Sequence, residues 1–325
     1  MNDDSNPLVS IGIPTYNRAD AYLKQALESA INQTYPNIEI IVSDNCSTDH
    51  TENLVKGFSN PRIRYYRHKE NIGAINNFNY CLEQAKGTYF LMLHDDDLID
   101  PDLVEACIKA ISGVKEPGVI IAGTRLIDGN GKVVYESPNR INEGDIKDFF
   151  LGWFSSEVAL YLCSTLYHTK RLKELGGFHS KTDHFLDVVA TVQLASAYGR
   201  IDVYDVKASF RRHSENMGGS GNPSKVSAWS EDSLFLLDVM CGLLPNDLDK
   251  AEVRKLGNLY FTKKSYRLTS GITSPSTRLS TYFKVYKMFD YSYSPVHFWY
   301  DTHLGIYIRS FIRKGKQILK LAPSN

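Results

Sequence analysis

The chain has 325 residues, 42% of them hydrophobic and 23% charged, with Lys+Arg and Asp+Glu equal at 37 each. That is enough chain for one large domain or two smaller ones with a full core. No uncharged apolar stretch approaches the ~20 residues a membrane span needs, and the N-terminus, MNDDSNP, is polar and acidic, unlike a signal peptide. The five cysteines (46, 81, 107, 163, 241) are scattered without a CxxC pair, which argues against a disulfide framework and for a reducing, cytoplasmic compartment.

The first 112 residues alternate strand and helix patterns. Leu8 to Ile13 reads as a strand, followed by the loop Pro14-Thr15-Tyr16-Asn17-Arg18. A helix follows, with Leu23, Ala26, Leu27, Ala30 and Ile31 on one face. Ile38 to Ser43 is a second strand, ending at Asp44-Asn45-Cys46-Ser47-Thr48-Asp49, which offers several helix N-caps. Ile63 to Arg67 is a third strand. Ile75, Phe78, Leu82 and Ala85 then line a helix that Gly87 closes. The apolar run Tyr89 to His94 reads as a buried strand leading into Asp95-Asp96-Asp97 and on to Pro101. Strands alternating with helices imply right-handed crossovers, a mainly parallel sheet and a ligand beyond the carboxyl ends of the strands. Tyr16, Asn17, Asp44 and Asp95 to Asp97 all fall at those ends.

Three adjacent carboxylates repel one another, and in a half-dry setting one must hold a proton unless a cation relieves the conflict. Mg²⁺ or Mn²⁺ does so and commonly shares its sphere with substrate phosphates. The alternative is a solvated acidic turn before the helix that Pro101 starts. The chain has no GxGxxG after the first strand, no GxxxxGK[ST], no HExxH, no zinc-ligand cluster and no GxSxG. What remains is a sheet edge with an aromatic for base stacking, an acceptor for a base N–H and an acidic cluster for the cation of a diphosphate.

The runs VSIGIPTYNR, IEIIVSDNCSTD and ENIGAINNFNYCLEQAKGTYFLMLHDDDLIDP resemble the nucleotide-binding half of inverting family 2 glycosyltransferases with the GT-A fold. The resemblance covers roughly residues 7–220. It implies an α/β domain over residues 1–224, with a nucleotide half (1–112) and an acceptor half (113–224). It also implies that Pro14, Thr15 and Tyr16 line the base, that Asp44 accepts from it, and that Asn17 belongs to the nucleotide and donor site. Asn71, Asn76, Asn77 and Asn79 would flank the nucleotide and donor sugar. Asp95 to Asp97 match the family's DxD-type motif, with Asp95 toward the ribose and Asp96 and Asp97 on the metal. The family often has acids at the positions of His94 and Asn45. His94 reads as a satisfied histidine beneath the site.

In the second half, Asp128-Gly129-Asn130-Gly131 reads as a hairpin. Gly176-Gly177-Phe178, followed by an acid opening an apolar helix, again resembles the family, in which that acid is the general base. Carried over, the base is Asp187, with Asp183 as the fallback. Phe210-Arg211-Arg212-His213 resembles the family's closing segment and implies Arg212 at the diphosphate and His213 at the metal. The donor expected is a UDP- or dTDP-sugar and the acceptor a glycan or lipid-linked glycan, as in bacterial surface-polysaccharide assembly. No QxxRW motif of a processive synthase is present.

Residues 225–325 read as helical. Residues 251–320 hold thirteen Lys/Arg against three Asp/Glu. Leu304, Tyr307, Ile308, Phe311, Ile312 and Leu319 recur at helical spacing among Arg309, Arg313, Lys314, Lys316 and Lys320. Such a helix suits the anionic inner face of a cell membrane better than a nucleic acid, and the alternative is packing on the catalytic domain or a second copy of the chain. The aromatic stretch Tyr291 to Tyr300 suits an interface belt or acceptor contacts. Two other functions stay open: a nucleotidyltransferase, and a non-catalytic nucleotide-sugar-binding module.

Overall fold

A computed structural model describes residues 6–113, 116–141, 144–213 and 223–302. β1 (Val9–Thr15) and β2 (Ile38–Asp44) are buried at every position, as parallel strands covered on both faces are. β3 (Ile63–Arg67) pairs with β2 and β4 (Tyr89–Met92) with β1, both parallel. The β1–β2 register sets Thr15 opposite Asp44, so the two strands end level. α1 (Leu23–Ile31) buries Leu23, Ala26, Leu27 and Ala30, the apolar face its spacing predicts. α2 (Thr51–Gly57) and α3 (Ala74–Gln84) complete the crossovers.

β1 runs two residues further than its apolar pattern, so Pro14 and Thr15 belong to the strand and not to the loop. Pro14 is tolerated there because β4 has already left: its last pair with β1 is Met92 opposite Gly12, and Pro14 pairs only with Ser43 of β2. β4 stops two residues before His94, where a turn closed by Asp97 N–H on the His94 carbonyl (3.2 Å) begins.

β5 (Leu98–Ile99), α4 (Leu103–Ala110), β6 (Val119–Asp128), β7 (Val133–Ser137) and α5 (Ile146–Ser155) follow. β8 (Thr165–His168), α6 (Thr169–Glu174), α7 (Leu186–Tyr198) and β9 (Arg200–Arg212) complete the sheet. Its order is β3-β2-β1-β4-β8-β6-β9-β5, with β7 paired to β6. The parallel arrangement expected of the first half holds from β3 to β4. Beyond it the sheet is mixed, with β8 antiparallel to both β4 and β6 and β5 antiparallel to β9. The β6–β7 hairpin forms where expected, with Asp128 Oδ1 accepting from the N–H groups of Asn130 and Lys132 (2.9 and 3.0 Å).

α8 (Pro223–Gly242), α9 (Asp247–Thr269) and α10 (Pro275–Met288) do not stand apart. Leu236, Leu237, Met240, Phe261 and Phe289 share one continuous core with Phe149, Phe185 and Val189. Phe261 meets Trp153, Phe185 and Trp229 at ring-centroid distances of 5.9, 5.6 and 6.0 Å, so α9 is packed into the acceptor half. Among the described residues no helix is long and apolar enough to cross a membrane. The basic helix expected over residues 304–320 lies outside the described residues. Of the preceding aromatics, Phe298 is buried, while Trp299 and Tyr300 are more than half exposed.

Gly87 lies beyond the end of α3, at the opposite end of the sheet from the strand carboxyl ends, and not at the helix cap expected for it. Its N–H donates to Ser10 Oγ (2.8 Å), and a Cβ there would stand 2.6 Å from the Leu8 carbonyl and 2.8 Å from the Ser10 nitrogen. Both obstacles are backbone, so Gly87→Ala must displace the start of β1. The expected cost is about 1–3 kcal/mol, read as a lower denaturant midpoint. An unchanged midpoint would contradict this packing.

Candidate active site

A cleft of about 490 Å³ opens at the carboxyl ends of β1, β2 and β4. Pro14, Thr15, Tyr16 and Arg18 form one wall, Asn45, Asn71, Ala74, Asn77 and Phe78 another, and His94, Asp95 and Asp96 the floor. Tyr16 is 45% exposed, so its ring is free of helix packing and open to stacking.

The asparagines divide by helix phase. Ala74, Asn77 and Phe78 stand at i, i+3 and i+4 on the face of α3 that meets the cleft. Asn77 is buried and accepts from Ser43 Oγ (2.6 Å) while donating to the Ser43 carbonyl (3.0 Å), which ties α3 to the end of β2. Asn71 accepts from Asn45 Nδ2 and from Gly73 N–H, both at 2.9 Å. Asn76 and Asn79 lie off the cleft. Asn76 donates to the Ile72 carbonyl (2.7 Å). Asn79 accepts from Phe178 N–H (2.8 Å) and donates to its carbonyl (3.0 Å), fixing the Gly-Gly-Phe turn.

Asp44 and Asn17 also serve the frame, and neither lines the cleft. Asp44 is fully buried, with Oδ1 accepting from Ser47 N–H (2.8 Å) and Oδ2 from Tyr65 Oη (2.5 Å). Asn17, at φ +52°, donates its N–H to Ser47 Oγ (2.9 Å) and accepts from Thr48 N–H (2.8 Å), stitching the loops after β1 and β2 together. The neighbours Arg18 and Asn45, to which the sequence pattern assigns no role, take the wall positions instead.

Burial pushes the Asp95 carboxyl up to about 7; Asp96 adds to this, and Arg18 opposes it. Asp97 is 2% exposed and accepts from Arg211 N–H (2.9 Å), and burial with the adjacent Asp96 charge holds its carboxyl well above the usual range. Asp96 Oδ2 lies 2.9 Å from His213 Nε2, which brings the closing segment to the triplet. His94 is not the satisfied histidine expected. Its Nε2 is buried without a hydrogen-bond partner, and burial lowers its pKa and keeps the ring neutral. His94, Asp96 and Asp97 each offer a ligand atom, all within 4.8 Å of one another. A buried, unpartnered imidazole nitrogen beside two crowded carboxylates fits a divalent cation.

β9 places the remaining groups by its two-residue alternation. Arg211, 1% exposed, sends Nε to the Asp96 carbonyl (2.8 Å) and Nη2 to Gln25 Oε1 (2.8 Å), and lies 4.3 Å over the Tyr22 ring. Phe210 faces the other way and stacks on Tyr161 at 4.6 Å. Arg212, expected at the diphosphate, is exposed and is not among the residues lining the first cleft, and its charge acts on Tyr161 and Lys264.

Those two residues belong to a second cleft, of about 500 Å³, which shares His184 and Phe210 with the first. It contains Asp187 together with Tyr135, Trp153, Tyr161, Tyr260 and Lys264. Asp187 sits in the first turn of α7 and accepts from Val188 N–H (2.8 Å). Burial raises its pKa to about 6 against that hydrogen bond, and the charge of Asp232 adds to the rise. Asp183, the fallback base, is exposed at φ +62° and lines neither cleft. Asp232 of α8 was not foreseen. Wholly buried, it accepts from Ser180 Oγ (2.7 Å) and from the N–H groups of Thr182, His184 and Phe185 (3.2, 2.7 and 3.0 Å). It thereby anchors the loop that delivers Asp187. Its one sequence signal is an acid on the helix face that carries Ser233, Leu236 and Leu237.

A model of glycosyl transferase family 2 matches residues 10–175, just over half of the chain. An uncharacterized glycosyltransferase of Rickettsia bellii is 43% identical over 132 residues, which are 40% of this chain and 19% of the relative. The chain spans 19%, 29% and 40% of the length of three such Rickettsia relatives. Among solved structures, S. aureus TarS 1–349 in complex with UDP-GlcNAc superposes with a TM-score of 0.59 at 17% identity, covering 87% of this chain and 91% of that one. The mannosyltransferase PcManGT of Pyrobaculum calidifontis, in complex with GDP-Man and Mn²⁺, gives 0.52 at 17% identity, covering 90% and 83%. Likeness at these identities concerns the fold, which is GT-A. By the family match and the fold together, the chain belongs to glycosyl transferase family 2.

Proposed function

We propose that the chain transfers a sugar from a nucleoside-diphosphate sugar to an acceptor hydroxyl with inversion of configuration. The observation that carries this is the pair of clefts meeting at His184 and Phe210, one floored by the Asp95–Asp97 cluster and the other holding Asp187. UDP-GlcNAc and GDP-Man bound to two proteins of this fold support a nucleotide-sugar in the first cleft. Tyr16 offers a stacking face for the base, and Arg18 a positive charge beside Asp95. A divalent cation held by His94, Asp96 and Asp97, Mn²⁺ or Mg²⁺, would neutralise charge on the departing diphosphate. Asp187 takes the proton from the acceptor hydroxyl as that oxygen attacks the anomeric carbon on the face opposite the leaving group. A single carboxylate acting once gives inversion, so an α-linked donor yields a β-glycoside.

UDP- or dTDP-sugars are the donors proposed, and bacterial surface polysaccharide on a lipid-linked glycan the setting. Exposed Trp299 and Tyr300, followed by the basic sequence 304–320, support peripheral attachment to an anionic membrane surface on the cytoplasmic side.

Asp187→Asn should bind nucleotide as the wild type does and lose transfer by roughly 10²–10⁴-fold. Transfer at the wild-type rate would refute the base. Only the ionised carboxylate accepts a proton, so kcat should rise with pH through about 6 and then level off. Asp232→Asn removes a negative charge that raises Asp187, and should move that acidic limb to lower pH. A pH–rate profile of the variant that coincides with the wild type would separate Asp232 from the base.

A further inference from the structure

We propose that the acceptor is an anionic glycan, whose carboxylate or phosphate is bound in the second cleft by Lys264. This rests on Asp187 marking the acceptor site. Lys264 comes from α9, packed into the acceptor half, and lines the same cleft as Asp187. Its ammonium lies 5.3 Å from the centroid of the Tyr260 ring, so the charge is directed into an aromatic wall and not to bulk water. Burial, and then the charges of Arg267 and Arg212, lower its pKa, which places three cations within electrostatic reach of one another.

Among the described residues none of the three has a carboxylate at ion-pair distance. Several part-buried cations elsewhere do: Arg125 pairs with Asp100, Lys147 with Asp249, Arg200 with Asp202, Lys207 with Asp102 and Arg254 with Asp238. Lys264 alone of the three lines the cleft, with Arg212 and Arg267 exposed outside it, and a part-buried ammonium without a carboxylate is relieved by a bound anion. Tyr135, Trp153 and Tyr161 provide flat faces for sugar rings around it, and Asp187 stands in the same cleft to receive the hydroxyl proton.

The test is equilibrium binding of the full chain, saturated with whichever of UDP, dTDP or GDP it binds, to three sets of oligosaccharides of equal length. One set is neutral, one contains uronic acid residues and one is linked by phosphodiesters. At least one anionic set should bind roughly tenfold or more tighter than the neutral set, the scale of a charge-assisted hydrogen bond, and should weaken as salt is raised. Which anionic set wins identifies the oxyanion. Lys264→Gln should lose that preference and Lys264→Arg restore it, with nucleotide affinity unchanged in both as the check on folding. Equal binding of all three sets, binding of none, or an unaltered preference in Lys264→Gln would overturn the proposal. Failure of nucleotide binding in the wild type would instead strike the donor-site reading, which is scored separately.

Discussion

Three carboxylates leave one strand in succession, and the protein withdraws them from water. Asp97 is buried against the main chain of Arg211, and Asp95 and Asp96 lie at the foot of a cleft. Burial raises the carboxyls of Asp95 and Asp97, and the neighbouring Asp96 charge adds to the rise. The surrounding architecture serves to hold this unfavourable group in shape. β4 ends early so that the chain can turn, β9 passes alongside, and Arg211 fastens the Asp96 carbonyl while Asp97 fastens Arg211. Crowded, buried carboxylates cost stability on their own, and a cation at the proposed site would offset that cost.

The two clefts have different electrostatic characters. The first is acidic at its floor, with His94 and His213 adjoining the carboxylates. The second has one carboxylate, Asp187, and one lysine, Lys264 of α9. The unequal distribution of charge along the chain, acidic before residue 251 and basic after it, thus has a structural counterpart inside the molecule. Part of the basic surplus faces the second cleft through Lys264. Phe210 and His184 stand between the clefts and adjoin both.

The strand ends were legible in the sequence because buried parallel strands are uninterrupted apolar runs and the polar residues after them are conspicuous. Tyr16, Asp95 and Asp96 line a cleft on that logic, while Asn71, Asn77 and Asp187, which also line one, came from the family resemblance. Composition could not settle helix phase, so Asn76 and Asn79 were grouped with Asn77, although α3 turns them away. Strand phase separated Arg211 from Arg212 in the same manner: one residue of alternation decides which cation meets the triplet. Asp44 is buried and hydrogen-bonded to Ser47 and Tyr65, since a buried acid at a strand end serves a loop as readily as a ligand. Asp232 acts on residues about fifty positions earlier, and no local pattern announces such a contact.

The most direct measurement is a calorimetric titration of UDP, dTDP and GDP into the full chain, with and without Mn²⁺, in the wild type and in Asp96→Asn. One nucleotide should bind in a metal-dependent manner and lose that dependence, with most of its affinity, in the variant. Nucleotide binding that ignores both the metal and the substitution, or no binding of any nucleotide, would contradict a metal-assisted donor site at the aspartate triplet.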